Sequence, residues 1–224
     1  MLKIENVYLT RTVIIALIML ITGVVAAAQP CSPFEGGRVD PQHLKTMRDA
    51  ATEGRLYRVD STRSRVGFCV RHFPFQEFRG EFTNLVGGLA VPPGHAQDGQ
   101  ALLLIHTTSL ESEDTEMMPM VQGRDFIDTQ RFPEILFVGR AVHLDNSEQG
   151  HVHGELTLHG VTQPVVFDIN LRMIENGDNH RPDRILMKGQ GEVNRFEFDM
   201  NSYRYVVSES VRLCMSVEMV PWGH

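Results

Sequence analysis

Between Gly154 and Phe167 apolar and polar residues alternate, the chain turns at Gly160, and the alternation resumes. Side chains of a strand point to opposite faces in turn, so this pattern is an antiparallel hairpin with one dry and one wet face. Few other folds suit such a segment. The same period of two, not 3.6, runs from Leu56 to Val220.

Eight strand-like runs follow: 56–73, 78–91, 100–108, 134–145, 150–159, 162–175, 184–195 and 206–219. Turn chemistry separates most of them, at Pro92–Pro93–Gly94, Asp145–Asn146, Gly160 and Asn176–Gly177–Asp178. Short strands at this spacing predict an all-β sandwich or barrel. Eight up-and-down strands make a barrel wide enough for side chains or one slender ligand.

One connection breaks the pattern. Ser112 to Pro133 is long, does not alternate, and carries Met117, Met118, Met120, Val121, Phe126, Ile127 and Phe132. Long connections in compact domains are functional or disordered, and this apolar content argues against disorder. The spacing predicts short helices over one barrel end. Adaptable Met side chains suit either a lid over a lipid or an ordinary core plug.

Residues 1–28 have the form of a secretory signal: Lys3 and Arg11, an apolar run from Val13 to Val25, then Ala26–Ala27–Ala28. The run is short for a membrane span, which needs ~20 residues. Cleavage after Ala28 would leave 196 residues, enough for one domain, and predicts export. It removes two basic residues and one acidic one, taking the formal charge from −7 to −8. A surface of that sign repels nucleic acid and anionic headgroups, which argues against DNA, RNA and peripheral membrane binding. No stable membrane insertion is expected after cleavage. Residues 29–55 form an extension in which Asp40–Pro41 starts a helix and Gly54 stops it. Its apolar stripe of Leu44, Met47, Ala50 and Ala51 predicts packing on the outside or end of the main domain, 56–220.

Alternation assigns faces. Val66, Phe68, Val70 and His72 share one phase, as do Phe78, Gly80 and Phe82. Val165, Phe167, Ile169, Leu171 and Met173 form another inward set, with Val211, Leu213, Met215, Val217 and Met219. The third and fourth runs are apolar in both phases, and a bulge near Gly139 would explain the change of phase after Phe137. The inward phase of the seventh run reads Ile185, Met187, Gly189, Gly191, Val193. Two inward glycines leave room either for a ligand or for a sharp bend of the sheet.

The histidines are not expected to make a metal site. His151 and His153 share the outward phase with Glu155, His143 could lie across the hairpin, and a solvated polar face explains all three. G-x-S-x-G, H-E-x-x-H, C-x-x-C and P-loop signatures are absent, and Gly189–Gln190–Gly191 lacks the third glycine and the helix of a dinucleotide site. Neither an enzyme nor an obligatory cofactor is expected. Cys69 and Cys214 fall on outward phases of the first and last runs. Barrel closure would make those runs neighbours, so a cross-strand disulfide is open in an oxidising compartment. Cys31 would then be left free or paired between chains, which keeps a homodimer among the candidates.

The segment Gly154–Phe167 also resembles the "GxLTxxGVTxPV" stretch of the YceI-like family. Tyr57–Asp60 with Ser64–Arg65–Val66–Gly67–Phe68 is similar to that family's opening "YxxDxxxSxVxF", and His72 and Gly80–Glu81–Phe82 match its "VxH" and "GxF". Asp125–Phe126–Ile127–Asp128 with Phe132–Pro133–Glu134–Ile135–Leu136–Phe137 resembles "FFDxxxxPxIxF", and Arg195–Phe196–Glu197–Phe198–Asp199–Met200 resembles "RxxFGM". The set is in order from 57 to about 215. Asp199 stands where the family usually has glycine, Ile127 replaces a phenylalanine, and His159 replaces a more usual basic or apolar residue.

The resemblance implies a lipocalin-like eight-stranded antiparallel barrel. It also implies a non-enzymatic periplasmic protein that binds, sequesters or transports a polyisoprenoid lipid, such as an isoprenoid quinone or prenyl lipid. The expected lining is Phe68, Phe82, Phe126, Phe132, Phe137, Phe167, Gly189, Gly191, Leu213 and Met215. His72, Asp125 and Arg195 are candidates for polar groups at the mouth. The rival readings are an enzyme or redox accessory acting on a bound quinone, and an interaction domain with a filled core.

Overall fold

The computed structural model describes residues 39–53, 55–74, 76–91, 99–175 and 182–223. The expected signal segment, residues 29–38 of the extension with Cys31, and Gly54 lie outside them, as do the turns at 92–94 and 176–178.

Among the described residues eleven strands make one closed sheet. In chain order they are β1 (Leu56–Val59), β2 (Arg65–His72), β3 (Gln76–Phe82), β4 (Leu85–Ala90), β5 (Gln100–His106), β6 (Leu110–Glu111), β7 (Glu134–Leu144), β8 (Gln149–Leu158), β9 (Val161–Ile174), β10 (Arg184–Asn194) and β11 (Val207–Pro221). The barrel nevertheless has eight staves. Short interruptions split the first three into β1/β2, β3/β4 and β5/β6, and each pair of pieces meets the same neighbouring stave. β1 and β2 both pair with β11, which closes the ring of antiparallel staves. The eight runs of the sequence correspond to these staves.

The break between β1 and β2 is bridged by side chains. Ser64 is fully buried, and its hydroxyl accepts the Glu218 N–H (3.0 Å). The Asp60 N–H donates to the Glu218 carbonyl (2.8 Å), and Asp60 caps the turn at Ser61–Arg63. Glu218 in turn pairs with Arg63 and Arg184. Buried backbone groups that lose ladder partners are thus satisfied locally.

The predicted bulge is present: β7 and β8 pair Gly139 with Gly154 and Ala141 with His153, leaving Arg140 as the extra residue. Helix α1 (Pro41–Thr52) is capped by Asp40, whose side chain accepts from the Gln42 N–H. It lies on the outside of the wall, where Met47 and Ala50 pack with Ala90, Leu56 and Leu102. That explains the ambiguous third run. Leu103 and Ile105 face the interior, while Leu102 is covered from outside by α1.

The two-residue turn between β8 and β9 is His159–Gly160, both at positive φ (53° and 77°), as tight hairpins require. A Cβ at Gly160 would meet the Phe132 ring at 2.6 Å, so the turn has no room for another residue. Phe132 also contacts the His159 ring, with centroids 4.7 Å apart. Together with the Thr107 bonds to the Phe132 and Pro133 carbonyls, this pins the end of the long connection to the barrel rim.

Candidate functional site

The interior is not filled. A slot of about 110 Å³, counted as the space open to the centre of a water-sized sphere, runs within the barrel. One water needs only about 10–15 Å³ by that measure. No polar atom is exposed on its wall. Val66, Phe68, Val70, Val211 and Leu213 point inward yet are only partly buried, because they face the slot rather than packed atoms.

The long connection closes one end. Helix α2 (Met118–Gln122) and the turns after it bring Met117, Met120, Val121, Phe126 and Ile127 onto the slot. Between the two expectations, lid and plug, the geometry favours a cover with space beneath it. Its other walls include Phe78, Leu103, Ile135, Leu156, Val193 and Met200. Three rings make a patch on one wall: Phe68 lies 5.8 Å from Phe78 and 5.9 Å from Phe82, centroid to centroid. Phe137 and Phe167 meet edge to face at 5.3 Å on another.

Of the residues expected to line the interior, Phe68, Phe82, Phe126, Phe137, Phe167, Leu213 and Met215 do so. The structure places the remaining candidates differently. Gly189 and Gly191 face inward, but their space is taken: a Cβ at Gly189 would stand 2.9 Å from Met215 Cγ, and one at Gly191 3.0 Å from Phe167 Cδ1. The neighbours, not a ligand, occupy the volume the glycines leave. Phe132 packs on the hairpin turn outside the slot. Asp125 is exposed, accepts the Ser202 hydroxyl (2.9 Å) and does not line the slot. Met173, near the end of β9, is 47% exposed although its partner Ile185 across the ladder is buried.

Arg195 has another role. It touches the slot, but it is 1% exposed and its donors are turned away. Nε donates to the Ser208 carbonyl (2.9 Å), Nη2 to the Val207 carbonyl (3.1 Å), and Nη1 to the Met200 carbonyl. The guanidinium lies 4.6 Å from the Phe196 centroid and 5.8 Å from that of Phe126. Burial, with Arg204 nearby, pulls its pKa below the usual arginine range. Arg195 therefore clamps the connection between β10 and β11. Only His72 remains of the mouth groups, lining the slot beside the lid.

The cross-strand disulfide that the sequence left open is not formed; both thiols are free. Cys69 faces Arg212 and Cys214 faces Gly67, so the cysteines are diagonal rather than opposite. Diagonal positions stand about 7 Å apart, too far for a disulfide's Cβ separation of about 4 Å. Partial burial over Gly67, with Cys69 and Glu81 close by, pushes the Cys214 thiol up.

His151 and His153 are on the outer face, and His143 does lie opposite His151. His151 bonds Asp168 (2.8 Å) and Asp145 (3.1 Å). Among the described residues no cluster of three or more such side chains is placed to hold a metal.

A model of the YceI-like domain matches residues 57–219. The chain belongs to the YceI-like family. Protein YceI of Escherichia coli O6:H1 is 28% identical over 156 residues, covering 69% of this chain and 80% of that protein. Two solved structures share the fold of this YceI-like chain. BcnA of Burkholderia cenocepacia superposes with a TM-score of 0.62 at 21% identity, over 71% of this chain and 98% of that one. A polyisoprenoid binding domain from Saccharophagus degradans, implicated in plant cell wall breakdown, gives 0.56 at 16% identity, over 74% of this chain and 98% of that one.

Proposed function

We propose that this YceI-like protein holds a polyisoprenoid lipid, an isoprenoid quinone or prenyl lipid, in its barrel and carries or sequesters it in the periplasm without chemical change. The observation that carries the reading is the slot itself, walled by Phe68, Phe82, Phe137, Phe167 and Leu213 with no polar atom exposed. Support also comes from the structural neighbour whose described role is polyisoprenoid binding. The periplasmic location rests on the signal-like residues 1–28.

Magnitudes are adequate for a ligand held by apolar contact alone. Burial of one methylene gives ~0.8 kcal/mol, so a five-carbon isoprene unit contributes roughly 3–4 kcal/mol gross. Several units exceed an ordering cost on the order of 4–15 kcal/mol. Slot length and shape then select the chain, and His72 is the nearest polar side chain for a headgroup at the lid end.

The test is mass spectrometry of the organic extract of protein purified from its own compartment without detergent. A stoichiometric prenyl lipid or quinone is the expected result. An empty extract from folded, exported protein would turn the reading toward an interaction domain or an enzyme that releases its substrate.

A further inference from the structure

Four exposed apolar side chains gather at the lid end of the barrel. Phe73 is 72% exposed, Tyr205 98%, Tyr203 46% and Val206 45%. They come from two connections tied together, since the Phe73 N–H donates to the Val206 carbonyl (2.7 Å). The Tyr203 ring stacks on Phe126 at 5.8 Å, with 8° between the planes. His72 and Val207, the immediate neighbours of Phe73 and Val206, line the slot, and so does Phe126. The rim is therefore continuous with the cavity wall. Exposed apolar groups concentrated at one place mark an interaction site.

We infer that this rim docks the barrel on the surface of a lipid bilayer, placing the mouth of the slot against the apolar phase. The inference rests on the lipid-carrier reading. Cargo of that kind has almost no solubility, so its mouth must meet an apolar phase to load or unload. Tyr and Phe are the side chains that settle at headgroup depth. The rim's flanking charges are mixed: Arg71 and Arg204 on one side of the balance, Asp125 and Glu209 on the other. Docking here is thus driven by aromatic burial and not by Coulombic attraction. The acidic net charge argues against binding anionic headgroups through charge, but it does not oppose a neutral, aromatic contact.

Trp222, the single tryptophan, gives the molecule an internal control. It follows the far end of β11, fifteen residues of strand away from Val207, and its N–H donates to the Leu56 carbonyl. Tyr205→Trp combined with Trp222→Phe moves the reporter to the rim. Full-length protein is mixed with vesicles of brominated phosphatidylcholine at physiological salt. The rim reporter should shift to the blue and be quenched, while Trp222 of the wild type should not. The double variant Phe73→Ser/Tyr205→Ser keeps the backbone bond between the two connections. It should transfer a prenyl lipid from vesicles roughly tenfold more slowly or worse.

An unquenched rim reporter, equal quenching at both ends, or unaltered transfer by the double variant would overturn the inference. So would a dimer in vesicle-free buffer that buries the rim reporter, which would make a second copy the occupant. Loading with prenyl lipid dispersed in ethanol, without vesicles, tests the carrier reading separately. A double variant that still loads this way but transfers slowly from vesicles locates the defect in docking. Failure of wild type to load by this route would sink the carrier reading, and the quenching would still decide the docking.

Discussion

Gly191 lies against the ring of Phe167: a Cβ added there would stand 3.0 Å from Phe167 Cδ1 and 3.0 Å from the Val166 carbonyl oxygen. The absent side chain lets an aromatic ring settle between β9 and β10 and form part of the slot wall. Gly191→Ala should push Phe167 toward the slot and cost about 1–3 kcal/mol through overpacking. Urea denaturation reads the cost, and loading with a prenyl lipid reads the narrowed space. Unchanged stability and loading together would show that Phe167 yields freely.

Met215 occupies the equivalent space beside Gly189, with its Cγ, Sδ and Cε all within 3.2 Å of an added Cβ. The contact is with a flexible side chain, so Gly189→Ala should be milder than Gly191→Ala. Comparison of the two midpoints under one denaturant series checks the order.

Arg195→Met should destabilise the protein by roughly 3 kcal/mol or more. Removal of the guanidinium orphans the carbonyls of Met200, Val207 and Ser208, and charge-assisted bonds are the costlier ones to lose. Arg195→Lys should recover only part, because one ammonium cannot reproduce the planar fork. Thermal melts of the three proteins check both. A near-neutral Met variant would show that the connection between β10 and β11 is held by packing alone.

His43 is 3% exposed at the helix–barrel contact, and burial is the main cause that lowers its pKa from 6.5. Arg140 adds to the lowering, while a bond to the Ala101 backbone and Asp40 oppose it. The folded state thus binds fewer protons than the unfolded one near this value. Its stability contribution is complete above pH 6.5 and is lost as pH falls below, toward the lowered folded pKa. Wild-type melts between pH 7.5 and 5 should decline more steeply than those of His43→Leu; parallel curves would remove His43 as the cause.

Asp199 sits in the left-handed region, with φ 59° and ψ 14°, at the end of the Arg195–Phe198 turn. That conformation accounts for glycine at the matching place in the family. Asp199→Gly should gain up to about 1 kcal/mol, and Asp199→Val should lose at least as much. Equilibrium unfolding of both variants measures the difference.

Strand phase was legible in the residues because a wall with one dry face writes itself at a period of two; Phe68, Phe82, Phe167 and Leu213 were placed on that basis alone. The third and fourth runs resisted because Leu102 is covered from outside by α1 while Leu103 is covered from inside. Which inward residue borders space and which borders a neighbour depends on the third dimension. Gly189 and Gly191 looked like openings, and Met215 and Phe167 had filled them. Arg195 and Asp125 looked like mouth groups because both are polar and near the same end. Their partners, the Met200, Val207 and Ser208 carbonyls for one and Ser202 for the other, lie in a connection with no periodicity to read and at the start of the strand after it.

Closure of the ring through β1/β2 and β11 joins Tyr57 to Pro221 and Phe68 to Leu213. A chain that emerges from its N-terminus cannot complete this seam until its last strand has arrived. Pairing residues so far apart in sequence raises the contact order, which slows folding. Until then the apolar faces of seven staves lack their closing partner, and the growing chain depends on being kept apart from its copies. The seam that closes the finished barrel is also what leaves the unfinished one open and threadable.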